Sequence, residues 1–203
     1  MIFDDNTAYQ IYRIFVAIFG TLGMVVATSP MRKNDKRNLL FLGGYAIYAI
    51  VFTFFSMHFW GFLPFLRSAI LTISLPGVIM IYMAADTSVS KHVFKCLSQL
   101  LLSLYLLISA TLLNTLFKGT LLSNAILLLS AYLAAIALEF FVLRRVFPDI
   151  GGINTRGFGI LALIPIAFFL FVMTLALYPV HYTQNPAFPL LFYLSGAVIA
   201  IIY

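Results

Sequence analysis

Glu139 is the only acidic side chain deep inside an apolar run of this sequence, and a carboxylate in such a setting marks a functional site by default. Two roles are open to it. Either it pairs with Gln99 or with a basic side chain at headgroup level, or it lies on a proton or ion pathway. Arg13 and Arg67 also interrupt apolar stretches. Long arginine side chains near the end of a membrane helix snorkel to the headgroups. Alternatively, Arg13 and Arg67 line an outward-facing pocket with His58, Trp60, His181, Tyr182 and Gln184, where a guanidinium holds the carboxylate of an external ligand.

The remaining polar residues exclude more than they offer. There is no His-Glu-x-x-His pair for zinc and no Gly-x-Ser-x-Gly nucleophile elbow, so no catalytic residue is assigned. His58, His92 and His181 stand at different levels of the expected membrane, which argues against a shared metal. The single cysteine, Cys96, excludes an internal disulfide or a Cys-x-x-Cys site. No cofactor is expected.

The elements that position these residues follow from composition. Of 203 residues, 63% are hydrophobic and 9% charged, and the mean hydropathy is +1.07. One soluble core cannot hide that much apolar surface, so the expected class is all-α, a polytopic helix bundle in the cell membrane with the lipid bilayer as its first partner. Its organising stretch is the basic knot from Ser29 to Asn38. Short Lys/Arg-rich loops stay on the cytoplasmic side, and this one fixes the direction of the flanking helices. Seven spans are expected, at about residues 8–28, 39–59, 65–85, 96–117, 120–143, 158–178 and 187–203, with residues 86–95 forming a cytoplasmic loop. On that map Arg32, Lys33, Lys36, Arg37, Lys91, Lys95, Arg144, Arg145 and Arg156 fall inside, while Arg13, Arg67 and Lys118 fall outside. The bias places the N-terminus outside and the C-terminus in the cytoplasm. It also accounts for the net charge of +6 without a nucleic-acid partner.

Lys118-Gly119 reads as a tight turn that folds the fourth and fifth spans into an antiparallel hairpin. Residues equidistant from Gly119 then share a depth, so Asn114 is expected beside Asn124 and Gln99 beside Glu139. Each partner belongs to a stripe of small and polar residues at steps of three and four, a pattern that packs helices closely in lipid. Pro76 and Pro165 are expected to bend the third and sixth spans.

Phe147-Pro148-Asp149-Ile150 before an aromatic span, Tyr178-Pro179 at its end, and His181 to Pro186 followed by the apolar run from Ala197 to Tyr203 carry a resemblance. In these features the chain resembles the membrane sensor region of bacterial GHKL-type, accessory-gene-regulator-like sensor histidine kinases. The resemblance implies a signal-transduction module of a two-component, quorum-sensing type. It would detect an extracellular peptide or small molecule and relay it through the last helix to a cytoplasmic kinase domain, with homodimerisation through that parent kinase. The last span, about 17 residues with no basic anchor after it, is expected to continue into such a domain. A small transporter or channel component is the alternative, drawing on Pro76, Pro165 and Glu139, although no internal repeat is visible.

Overall fold

In the computed structural model, residues 5–33, 35–143, 163–177 and 188–202 are described, and nearly all of them are helical. The chain forms α1 (Asp5–Thr28), α2 (Asp35–Phe59), α3 (Phe62–Ala69), a π-helical segment (Ile70–Ser74), α4 (Leu75–Ala84), α5 (Val89–Leu116), α6 (Leu121–Leu138), a second π segment (Glu139–Leu143), α7 (Leu163–Leu177) and α8 (Phe188–Ile202). Among the described residues four helices are long and apolar enough to cross a membrane: Asn6–Thr28, Lys36–Phe59, Val89–Leu116 and Leu121–Phe141. At 1.5 Å per residue each exceeds the roughly 30 Å of a hydrocarbon core. Leu71–Ala84 and Phe188–Val198 are shorter apolar helices. The chain is therefore compatible with a membrane protein. Large apolar side chains such as Leu39, Leu71 and Leu122, each at least 70% exposed, form a surface suited to lipid rather than water.

The third helical stretch is broken by its own sequence. Pro76 has no N–H, so the carbonyl four residues earlier, Thr72, loses its helical donor. Tyr48 of α2 compensates, and Tyr45 bonds the next carbonyl. The Tyr48 hydroxyl donates to the Thr72 carbonyl at 2.5 Å, and the Tyr45 hydroxyl donates to the Ile73 carbonyl at 3.3 Å. The Tyr45 ring lies where only a glycine fits beside it: a Cβ at Gly77 would sit 2.7 Å from its oxygen. The expected proline bend is thus a π segment followed by a fresh α-helix, held from outside by α2.

The α5 helix, the fourth span expected from sequence, begins at Val89 rather than near residue 96, because Ser88, in extended conformation, takes the N-cap position and the Lys91–Lys95 region stays helical. Residues 89–95 are therefore helix rather than loop, and His92 is buried. At the far end, Lys118 adopts the left-handed conformation with φ 51°, and its neighbours close the turn through Gly119 N–H to Asn114 O at 2.8 Å. The Thr120 side chain then accepts from Ser123 N–H at 3.2 Å to start α6. The α6 helix ends in a π segment from Glu139, where the sequence suggests regular helix to 143.

The connections α1–α2 and α4–α5 lie against each other at one end of the bundle. Arg32 N–H donates to Ala84 O at 3.0 Å and Asp86 N–H to Pro30 O at 2.8 Å, making a short antiparallel bridge between Met31 and Ala85. Basic side chains sit on helix C-terminal carbonyls there: Arg32 Nε on Ala85 O at 2.8 Å, a guanidinium N–H of Arg37 on Met83 O at 3.1 Å, and Lys95 Nζ on Thr28 O at 2.7 Å. Cations at the carbonyl ends of α1 and α4 offset the helix dipoles. Arg32, Arg37 and Lys95, expected from sequence to lie on one side of a membrane, therefore cap helices.

The α1 helix is the hub. It packs most extensively on α6, and also on α5 and α2. Gly20 of α1 accommodates the Tyr132 ring of α6, and a Cβ there would overlap that ring. Met24, Ala110, Leu128 and Tyr132 form the core between α1, α5 and α6, while Ile11, Tyr45, Phe65 and Ile73 form one between α1, α2 and the broken helix. Phe188 and Phe192 of α8 are fully buried against Ile108 of α5.

Candidate ligand cavity and buried polar cluster

The α3 helix, the π segment and α4 run in succession along one side of a space that α1 and α5 line from the other. A cavity of about 190 Å³ remains between these helices. Its lining on α1 runs from Gln10 to Val25, about 22 Å of helix. The walls are mostly aliphatic and aromatic, and Arg13, at the end away from the basic loops, is the one charged residue among those lining it. Its guanidinium donates to Thr111 Oγ1 at 2.7 Å and to Gln10 Oε1 at 3.3 Å, and stacks 5.6 Å from the Tyr9 ring centre. An apolar slot with a positioned guanidinium at one end suits a ligand with an apolar body and an anionic group.

The other residues assigned to that pocket from sequence are arranged differently. His58, Trp60 and Arg67 are exposed around the α2–α3 turn and do not line the cavity. His58 stacks edge-on with Phe59, and Trp60 with Phe52, at ring separations of 5.0 and 6.0 Å. His181, Tyr182 and Gln184 lie outside the described residues, as do Asp4, Arg144, Arg145 and Arg156.

The hairpin stripes meet along their length, but not pair by pair as drawn from sequence. Asn114 accepts from Ser123 Oγ at 2.6 Å and donates to Thr120 O at 3.3 Å, so it closes the turn instead of pairing with Asn124. Asn124 is buried and its Oδ1 has no hydrogen-bond partner. Midway along, Ser103 and the Tyr132 hydroxyl are 2.5 Å apart, and Tyr132 also donates to Ser103 O at 3.0 Å. Gln99 does face Glu139. Both are almost fully buried, at 4% and 1% exposure. The facing is looser than a formed hydrogen bond: both Glu139 oxygens and Gln99 Oε1 lack a partner at hydrogen-bond geometry.

Two turns away on α5, His92 Nε2 lies 2.9 Å from Val78 O and 3.3 Å from Cys96 Sγ, with the Tyr82 ring at 5.3 Å. His92 therefore ties α5 to α4. Sequence reasoning placed it in a loop because charged neighbours surround it; its steps of four to Cys96 and seven to Gln99 are the signal for a buried helical face. Tyr45 and Tyr48 were likewise hidden among aromatics, though the proline twenty-eight residues after Tyr48 announces a carbonyl in need of a donor. Among the described residues no group of three or more His, Cys, Asp or Glu side chains is placed to hold a metal.

Among the described residues the structure thus shows an all-helical fold with four helices long and apolar enough to cross a membrane, an apolar cavity with one guanidinium, and a buried carboxyl facing an amide. No protein-family model, curated protein or solved structure matches the chain.

Proposed function

We propose that the chain is a sensor module in the cell membrane, with seven spans, an outer N-terminus and a cytoplasmic C-terminus, that binds an external ligand with an anionic group on an apolar body. The observation carrying this reading is the cavity between α1, the broken α3–α4 helix and α5, with Arg13 at the end remote from the basic loops. His58, Trp60 and Arg67, exposed near that end, form the approach to it. The resemblance of the C-terminal stretch to GHKL-type kinase sensor regions supports relay through α8, which is bonded to α5 by Tyr105 and Ser195 hydroxyls 2.5 Å apart. A ligand moves this relay only by favouring one packing of the bundle over another.

The test is binding of a fluorescent long-chain fatty acid to the full chain in nanodiscs. The expected result is saturable binding, weakened roughly tenfold or more by Arg13→Gln, because a charge-assisted hydrogen bond contributes about 1.5–3 kcal/mol. The uncharged methyl ester should be indifferent to that change. Equal affinity of acid and ester for the wild type refutes the anchoring role. Single-cysteine labelling that places positions 4 and 32 on the same side refutes the topology. The second reading, a transporter or channel component, draws on Glu139, and acid-driven flux in proteoliposomes would favour it.

A further inference from the structure

The Glu139 carboxyl is not explained by ligand binding, since it does not line the cavity. It sits where α6 passes into its π segment, with α1 and α6 packed on that segment and Gln99 of α5 facing it. Three acceptor atoms gather there without a hydrogen-bond partner: both Glu139 oxygens and Gln99 Oε1. Such a group of bare acceptors in a buried place is unfavourable while the carboxyl is ionised. One added proton changes the inventory. A neutral Glu139 donates its O–H to Gln99 Oε1, and the Gln99 N–H donates to the Glu139 carbonyl oxygen, so acceptors become a reciprocal acid–amide pair.

The geometry points to Glu139 and Gln99 as a proton-binding site that clamps α5 to the end of α6. The surroundings leave the proton little competition. From α5, the charged group acting on Glu139 is Lys95, which is already engaged at 2.7 Å on Thr28 O. From α1, residues 14–28 contain no titratable side chain. From α6, Tyr132 is bonded to Ser103 two turns earlier. Arg144 and Arg145 lie outside the described residues. Loss of the proton leaves a carboxylate that attracts Lys95, the cation acting on it among the described residues, and drawing Lys95 toward it releases the carbonyl end of α1. The site therefore couples a proton to the α1–α5 contact, independently of the cavity and its ligand.

Glu139 is the only glutamate in the chain, which makes the test site-specific. The full protein in nanodiscs is labelled with glutamate carrying 13C at its side-chain carboxyl and glutamine carrying 15N at its amide, and studied by solid-state NMR. At neutral pH the carboxyl signal should be that of the neutral acid. It should couple to a glutamine side-chain nitrogen, and the coupling should vanish in Gln99→Met and persist in Gln10→Met. Alkaline pH should convert the signal to carboxylate. A carboxylate signal at neutral pH overturns the proposal, as does an acid signal with no coupling to Gln99. Conversion by added sodium ions at constant pH would assign the site to a metal cation instead and also overturn it.

Discussion

Replacing Tyr48 by Phe removes one oxygen and tests whether a tyrosine of α2 substitutes for the amide that Pro76 lacks. The Tyr48 hydroxyl donates to Thr72 O at 2.5 Å, and Thr72 is the residue whose helical donor the proline deletes. A buried acceptor left bare costs about 1–3 kcal/mol, but hydrogen bonds between membrane helices average about 0.6 kcal/mol and reach about 1.7. Tyr48 is 37% exposed, so headgroups or water reach this carbonyl in part and the lower portion of the range applies. Tyr48→Phe should therefore destabilise by about 1 kcal/mol, roughly a fivefold loss in the folded-to-unfolded ratio. In Pro76→Ala the backbone regains an N–H for Thr72, and the same Tyr48→Phe change should then cost almost nothing. The assay is a double-mutant cycle on reversible unfolding in mixed micelles or bicelles. Contacting pairs that interact show coupling above the roughly 0.3–0.5 kcal/mol noise of independent sites. Equal costs of Tyr48→Phe in both backgrounds would refute the idea that α2 repairs the broken helix.

The two glycines whose surroundings differ most should respond oppositely. Gly20→Val drives a side chain into the Tyr132 ring and should lower stability by about 3 kcal/mol, whereas Gly43, with nothing within 4 Å of the place a methyl group would take, should gain up to about 1 kcal/mol as Ala; similar melting behaviour of both variants would contradict the packing of α1 on α6. Cys96 is the only cysteine and is 1% exposed, so a maleimide should label the folded protein at least tenfold more slowly than the unfolded one, and fast labelling under native conditions would remove His92 and Cys96 from the buried face of α5.

The helical regions were legible because runs of apolar residues near twenty long have no other use, and the Lys118-Gly119 turn because a short polar break between two such runs leaves one geometry. Gln99 opposite Glu139 followed from that turn by counting. Asn114 opposite Asn124 did not, because an asparagine one turn from a helix end finds nearer partners in Ser123 and Thr120. The start of α5 was misplaced for a different reason. Lys91, His92 and Lys95 raise local polarity as a loop would, yet on a helix Lys95 can spend its charge on the Thr28 carbonyl while His92 is buried against α4. The cavity was invisible in the sequence, since its lining is gathered from α1, α2, the α3–α4 stretch and α5, and no spacing along the chain shows how closely those helices meet.

The bridge between Met31 and Ala85 has a consequence for where the chain tolerates being opened. By composition the segment 29–38 is the most polar and loop-like in the first half of the protein, the natural place to splice in an epitope or a fluorescent domain. Its backbone is nonetheless committed: Pro30 O, Arg32 N–H and Arg32 O all have partners, the last in the Asn38 amide at 2.7 Å. Ala84 and Ala85 on the other strand are fully buried. An insertion there would unfasten two helix pairs at once. The Lys118-Gly119 turn, whose partners lie within ten residues on either side and whose tip is exposed, is the better site for cutting or tagging the chain.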